Sequence, residues 1–181
     1  MLNNLKPSRY THSLGVEKMA SELASIYGED TDKAEFAGRY HDIAKCFTPE
    51  VMDSYVREFG LSDEYIGNNA LAHSKVAAGI LRTRFGVTDE EVLNAVSSHT
   101  TGRAGMSMLE EIVYVADAIE DNRNYEGLRE LQDLARRDLD AACLFIMDFT
   151  IDRIRSMGRD LDDDTLEARE FIHNRIQARN N

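Results

Sequence analysis

Histidine is scarce in this chain, with five residues in 181. Four of them, His12, His41, His73 and His99, lie in stretches whose apolar residues recur at helical spacing. Asp117 lies in another such stretch, and Asp42 directly follows His41. Imidazole and carboxylate are the groups that hold hydrolytic metal ions. On a helix, positions three, four and seven apart share a face. His12 shares its face with Val16, Met19 and Leu23, and His41 with Ala34, Ala37 and Gly38. His73 goes with Val76, Ala77 and Ile80, His99 with Val92, Ala95 and Val96, and Asp117 with Leu109, Val113 and Tyr114. All five therefore face a core. A single core imidazole is ordinarily a satisfied structural group. Together, unpaired groups cost ~1–3 kcal/mol each, and one or two divalent cations would satisfy the whole set. Six ligands exceed what one tetrahedral ion takes. That favours two cations sharing a carboxylate, and Asp42, beside His41, is the natural bridge.

Cations near such a centre could steady phosphoryl oxygens. Lys45 follows the His41-Asp42 pair by about one helical turn. Arg103 follows Thr100-Thr101-Gly102, a loop leaving the His99 helix, and its planar fork suits a phosphate. Arg123 and Asn122 stand just beyond Asp117. Tyr10, Phe47 and Tyr125 could stack on a base, although most aromatics here suit the core. His173, between Ile172 and Asn174, reads as solvent-facing. Cys46 and Cys143 read as two reduced thiols rather than ligands or a disulfide. Asp162-Asp163-Asp164 reads as a helix start favoured by the macrodipole rather than as a cation site.

The elements that must position these residues are helical almost throughout, and no stretch alternates like a strand. The pattern predicts an all-α bundle of about eight to ten helices. The first runs from about Ser8 to Tyr27, before Gly28, and the second from Asp30 or Thr31 to about Ala44. Thr48-Pro49-Glu50 opens a third, ending near Phe59. Others span about Asn69 to Phe85, Thr88 to His99 and Ser107 to Glu120, the last two opened by capping boxes. Short helical turns are expected over Gly127 to Arg136. A long helix covers Leu139 to Met157, with apolar positions that could serve the core or a homodimer surface. A solvated helix covers about Thr165 to Ala178. One domain spans residues 1–181, with a core over about 6–158 and a helical tail over about 159–181.

Hydrophobic residues make up 43% and charged residues 30%, as in ordinary globular proteins. The net charge of −12 argues against a protein that coats nucleic acid. It leaves room for a small phosphorylated substrate, since bound cations and local Lys or Arg can reverse the field of one pocket. No apolar run reaches membrane-spanning length. The N-terminus lacks the apolar core of a signal peptide, so a cytoplasmic location is expected.

The order His, His-Asp, His, His, Asp resembles the HD-domain phosphohydrolases. The motifs Arg9-Tyr10-Thr11-His12, His41-Asp42-Ile43-Ala44-Lys45, Leu71-Ala72-His73, His99-Thr100-Thr101-Gly102-Arg103 and Tyr114-Val115-Ala116-Asp117, with Glu120 and Arg123, resemble the YqeK family within them. That family comprises bacterial symmetrical bis(5′-nucleosyl)-tetraphosphatases. The resemblance spans about Lys6 to Ala168. It implies an HD-domain bundle and a centre of two divalent or trivalent metal ions, commonly iron, on His12, His41, Asp42, His73, His99 and Asp117. Imidazole and carboxylate suit manganese and zinc as well. It implies Asp42 and Lys45 in catalysis, and Lys45, Thr100, Thr101, Arg103 and Arg123 as substrate contacts. The substrate implied is diadenosine tetraphosphate, cut to two ADP. The chain departs from the family at Ser74-Lys75, where glycine and proline are expected, and at Asp121, where proline is usual. Other readings are a nucleoside 5′-monophosphatase, a guanosine-tetraphosphate hydrolase, and a metal-binding regulatory protein without catalysis.

Overall fold

The computed structural model describes residues 5–181, so the leader reading lies partly outside it. The helices are α1 (Pro7–Tyr27), α2 (Thr31–Tyr40), α3 (Pro49–Glu58), α4 (Asn69–Phe85), α5 (Glu90–Ser98), α6 (Met108–Ile119), α7 (Leu128–Arg137), α8 (Leu139–Ser156) and α9 (Asp163–Asn180). A 3-10 turn, Asp63–Tyr65, escaped the sequence reading. No strand occurs among the described residues.

Local signals set most helix boundaries. Proline opens α1 and α3, and the Thr48 hydroxyl caps α3 by accepting from Val51 N. At α6 both halves of the Ser107/Glu110 capping box are formed. At α5 the expectation needs correction: Asp89, not Thr88, is the cap, accepting from Glu91 N and Val92 N. A carboxylate one residue closer to the helix outcompetes the hydroxyl and also suits the positive helix end. The segment expected as short turns after Gly127 is instead one continuous helix, α7.

The main correction concerns α2. It ends at Tyr40, short of the expected Ala44, and residues 41–46 wind in turns. Ile43 N, Lys45 N and Phe47 N donate three residues back, to Tyr40, Asp42 and Ala44. In a continuous helix His41 and Asp42 would point roughly 100° apart. Leaving the helix lets the two side chains converge.

Helices α1, α2, α4, α5 and α6 enclose the centre of the molecule. α1 packs along α2 and α6, and α5 lies against α4 and α6. The α1–α2 crossing is close because Gly38 has no side chain: a Cβ there would stand 3.0 Å from the Glu17 backbone. α8 covers α6 on the far side, flanked by α7 and α9. It leaves Phe145 and Phe149 exposed, on the helix whose apolar positions were open to a role in the core or in a homodimer surface.

The C-terminal segment is no solvated tail. α9 fully buries Ala168 and Ile172. Its Ala168 lies against the loop after His99, where Gly102 (φ 70°) leaves no room for a side chain between Ala168 and Met147. Arg175 on α9 donates to Glu111 of α6 at 2.6 Å and to Asp140 of α8 at 2.5 Å. The Asp-rich run begins α9, as expected, with Asp162 at the cap, and His173 is half-buried rather than solvent-facing.

Two stability predictions follow from this docking. Ile172→Ala should cost about 2–5 kcal/mol in urea unfolding, whereas a solvated helix would lose less than ~0.5 kcal/mol. Glu111 is buried, its Oε2 has no hydrogen-bond partner, and its Oε1 shares one guanidinium with Asp140. Burial, only partly offset by Arg175, pushes its pKa up to about 7 from the usual 4.5. A carboxyl with a raised folded pKa favours the fold when protonated. That share of stability is full below pH 4.5 and is lost as pH rises through about 7. Glu111→Gln should therefore gain stability relative to the parent between pH 5 and pH 8. An unchanged difference at the two pH values would show that Glu111 titrates normally.

Candidate metal and phosphate centre

The six histidine and aspartate positions singled out in the sequence meet at one point. His12 comes from inside α1 and His73 from inside α4, while His41 and His99 are the residues that end α2 and α5. Asp117 comes from the last turn of α6. All four histidines and Asp42 are buried, and Asp117 is half-buried, opening the centre to one side.

Asp42 stands in the middle and divides its oxygens. Its Oδ1 lies 3.2 Å from His73 Nε2 and 3.5 Å from His99 Nε2. Its Oδ2 lies 3.3 Å from His41 Nε2 and 3.8 Å from His12 Nε2. Asp117 Oδ1 stands 3.0 Å from His12 Nε2 and 3.8 Å from His41 Nε2. Three ligand groups result: His12, His41 and Asp42; His41, His99 and Asp117; and Asp42, His73 and His99. None contains Cys46 or His173.

The outer ring nitrogens show which way each imidazole presents its lone pair. Nδ1 lies 2.7 Å from Gly38 O in His41, 2.7 Å from Val96 O in His99, and 3.3 Å from Asn69 O in His73. A carbonyl can only accept, so each Nδ1 carries a proton, and in the neutral ring Nε2 is then a bare lone pair turned inward. His12 has a carboxylate on each side: Nδ1 donates to Glu120 Oε1 at 3.1 Å, and Nε2 faces Asp117 Oδ1 at 3.0 Å. The bare Nε2 atoms of His73 and His99 then face each other at 3.1 Å. The Nε2 atoms of His12 and His41 and Oδ1 of Asp42 are buried without hydrogen-bond partners. Lone pairs crowded together out of water are strongly unfavourable unless a cation lies among them. The residues present thus fit a metal centre.

The electrostatics point the same way. Burial lowers the pKa of His99 to about 4, keeping that ring neutral. At His41 burial also opposes a charge, but Asp42 and Asp117 outweigh it and raise the pKa. The field there favours a positive charge, whether proton or metal. Burial works against both carboxylates, yet the positive charge favoured at His41, proton or metal, outweighs it and holds Asp42 and Asp117 well below the usual range.

Three cations stand round the open side. Arg9 donates to Asp42 Oδ2 at 2.7 Å. Arg123 donates to Asp117 Oδ1 at 2.7 Å and to its backbone carbonyl. Lys45 Nζ donates to His73 Nε2 at 3.0 Å, and the Thr100 hydroxyl donates to the same atom at 3.2 Å. Lys45 is exposed, yet protein packed around its ammonium lowers its pKa despite Asp42 and Asp117.

Two residues expected near substrate point elsewhere. Arg103 presents its fork to buried Glu110, with both bonds at 2.7 Å. Thr101 is buried and donates to Gly102 O at 2.8 Å. The departures from the family pattern also stand apart. Ser74 is buried and donates to Leu71 O, Lys75 pairs with Asp164 of α9 at 3.3 Å, and Asp121 pairs with Lys18 at 2.7 Å. Arg9 and Glu120 were missed as site residues. The signal was available: Arg9 lies three residues before His12 and Glu120 three after Asp117, each one helical turn from a ligand position.

The HD domain family matches residues 9–122 of the chain. Over 164 residues the chain is 37% identical to "Bis(5′-nucleosyl)-tetraphosphatase, symmetrical" of Halalkalibacterium halodurans, covering 90% of this chain and 88% of that one. The protein of the same name from Bacillus subtilis is 40% identical over 141 residues, covering 77% and 76%. A crystal structure of a "predicted HD superfamily hydrolase involved in NAD metabolism" from Clostridium acetobutylicum superposes with a TM-score of 0.92 at 43% identity, covering 96% and 93%.

Because Arg103 supports Glu110, Arg103→Ala should cost on the order of 1–3 kcal/mol of stability by leaving a buried carboxylate short of donors. Denaturant unfolding reads that loss. A variant of unchanged stability and reduced turnover would return Arg103 to the substrate.

Proposed function

Since the chain belongs to the HD domain family, and within it to the group whose curated members are named symmetrical bis(5′-nucleosyl)-tetraphosphatase, we propose that it cleaves diadenosine tetraphosphate to two ADP at a centre of two metal ions. The observation that carries this reading is the division of Asp42. One oxygen faces His73 and His99, and the other faces His41 and His12. A carboxylate so placed suits a bridge, with Asp117 completing the set. Iron, manganese and zinc all suit these donors. Bound there, such ions supply the Lewis acidity that lowers the pKa of water toward neutrality and yields a nucleophile.

The chain's own residues account for the rest of the task. The substrate is a polyanion and the protein is itself strongly acidic, so binding depends on a locally reversed field. Arg9, Lys45 and Arg123 provide it on the open side of the centre. Lys45 Nζ and Thr100 Oγ1, already donors beside His73, donate to phosphoryl oxygens as charge builds on them in the transition state. Water attacks the phosphorus second from one adenosine, the central anhydride P–O bond breaks, and each half leaves as ADP. Phe47, two residues beyond Lys45 and stacked on Tyr55 at 5.6 Å between centroids, offers a half-buried ring to a base.

Product identification tests the reading: two ADP are expected, while ATP plus AMP, or no turnover with iron, manganese or magnesium, would overturn it. Lys45→Ala and Arg123→Ala should each lower kcat/KM about 10–100-fold, the worth of a charge-assisted hydrogen bond, with metal content unchanged. Asp42→Ala should remove activity, bound metal and thermal stability together.

A further inference from the structure

We propose that Glu120 is a positioning residue that keeps the His12 proton on Nδ1 and its lone pair on the centre, and that Gly15 and Asn122 hold the carboxylate in place. The proposal rests on the metal-centre reading above and adds to it the device that orients one ligand.

His12 differs from the other three histidines in what it donates to. His41 and His99, at helix ends, each use a main-chain carbonyl three residues back, and His73 uses the carbonyl of Asn69. His12 instead donates to a carboxylate on another helix's end. The close of α6 grips the ring from both sides: Asp117 Oδ1 lies 3.0 Å from Nε2, and Glu120 Oε1 lies 3.1 Å from Nδ1. An anionic acceptor on the outer nitrogen makes the inner one a stronger donor to a metal.

The carboxylate has a built seat. Glu120 is 1% exposed, so its charge requires partners. Its Oε2 accepts from Asn122 N at 2.7 Å and Asn122 Nδ2 at 2.8 Å, leaving Oε1 for His12. The space exists because residue 15 is glycine. A Cβ there would fall 2.1 Å from Oε2 and 2.8 Å from Asn122 Nδ2. Gly15 lies one turn beyond His12 on the same face of α1. One helical face thus provides both the ligand and the slot for the group that orients it.

Glu120→Gln distinguishes orientation from mere packing. The two Asn122 donors need an oxygen, so they retain the amide oxygen and turn the amide NH2 toward His12. Nδ1 must then accept, and the His12 proton moves to Nε2, pointing into the centre. Imidazole nitrogen NMR of the metal-free protein should show His12 Nδ1 protonated in the parent and unprotonated in Glu120→Gln, where the remaining proton sits on Nε2 beside Asp117. Manganese(II) affinity, measured against a competing chelator, should fall about 10–100-fold while the circular dichroism stays the same. Gly15→Ala should weaken manganese binding alone but add nothing in a Glu120→Ala background. An unchanged His12 tautomer and affinity in Glu120→Gln would overturn the proposal, as would additive losses for Gly15 and Glu120. If the parent protein binds no metal, the metal-centre reading fails, while the ring spectra still decide the role of Glu120.

Discussion

Four imidazoles aim their Nε2 atoms at one buried carboxylate, and the rest of the structure accommodates that arrangement. Such a cluster is unfavourable in an apolar interior, where unsatisfied lone pairs have no water to meet. The bundle tolerates it because every outer ring nitrogen is tied down, three to main-chain carbonyls and one to Glu120. Fixing the outer nitrogens leaves the inner ones aligned and unable to relax. This is the arrangement of a preorganised cation site, in which the fold bears in advance the cost of gathering the ligands.

The fold follows from the need to bring those side chains together from distant segments. Two histidines sit inside helices, where neighbouring turns hold the backbone rigid. The other two sit where a helix ends. Ending α2 at Tyr40 frees Asp42 to turn inward beside His41. Around this interior the cations remain at the rim. Arg9 and Arg123 are half-buried and Lys45 exposed, so each keeps contact with water, the arginines facing Asp42 and Asp117 and the lysine facing His73. A highly acidic protein can therefore present a positive field at one point on its surface.

Several side chains that resemble site residues in sequence serve as supports. Arg103 braces Glu110, which also accepts from Ser98 and from Ser107 N, so the loop after His99 is held at both ends. Lys75, Arg175 and the buried face of α9 tie the C-terminal helix to α4, α6 and α8. The helix read as a solvated tail packs instead behind the ligand-bearing loop. Ala168, Ile172 and Ile176 recur every four residues with Phe171 beside them, and this narrow stripe is masked in the sequence by the charged residues around it.

Residue types and helical spacing alone determined the all-α class and the inward direction of the four histidines and Asp117, whereas Asp42 turns inward only because α2 ends at Tyr40. Those properties are local: three- and four-residue spacings decide which side chains share a face, whatever the helix later packs against. The capping box at Ser107 and the proline opening α3 were legible for the same reason. Only the tertiary structure decided what holds the His12 ring, which arginine meets the centre and which braces a loop, and where α9 docks. Those outcomes depend on partners far away in sequence. His12 and Glu120 are 108 residues apart, Arg9 and Asp42 33 apart, and Arg175 and Glu111 64 apart. An arginine's fork accepts any carboxylate within reach, and reach is set by the packing of helices, which no local pattern encodes.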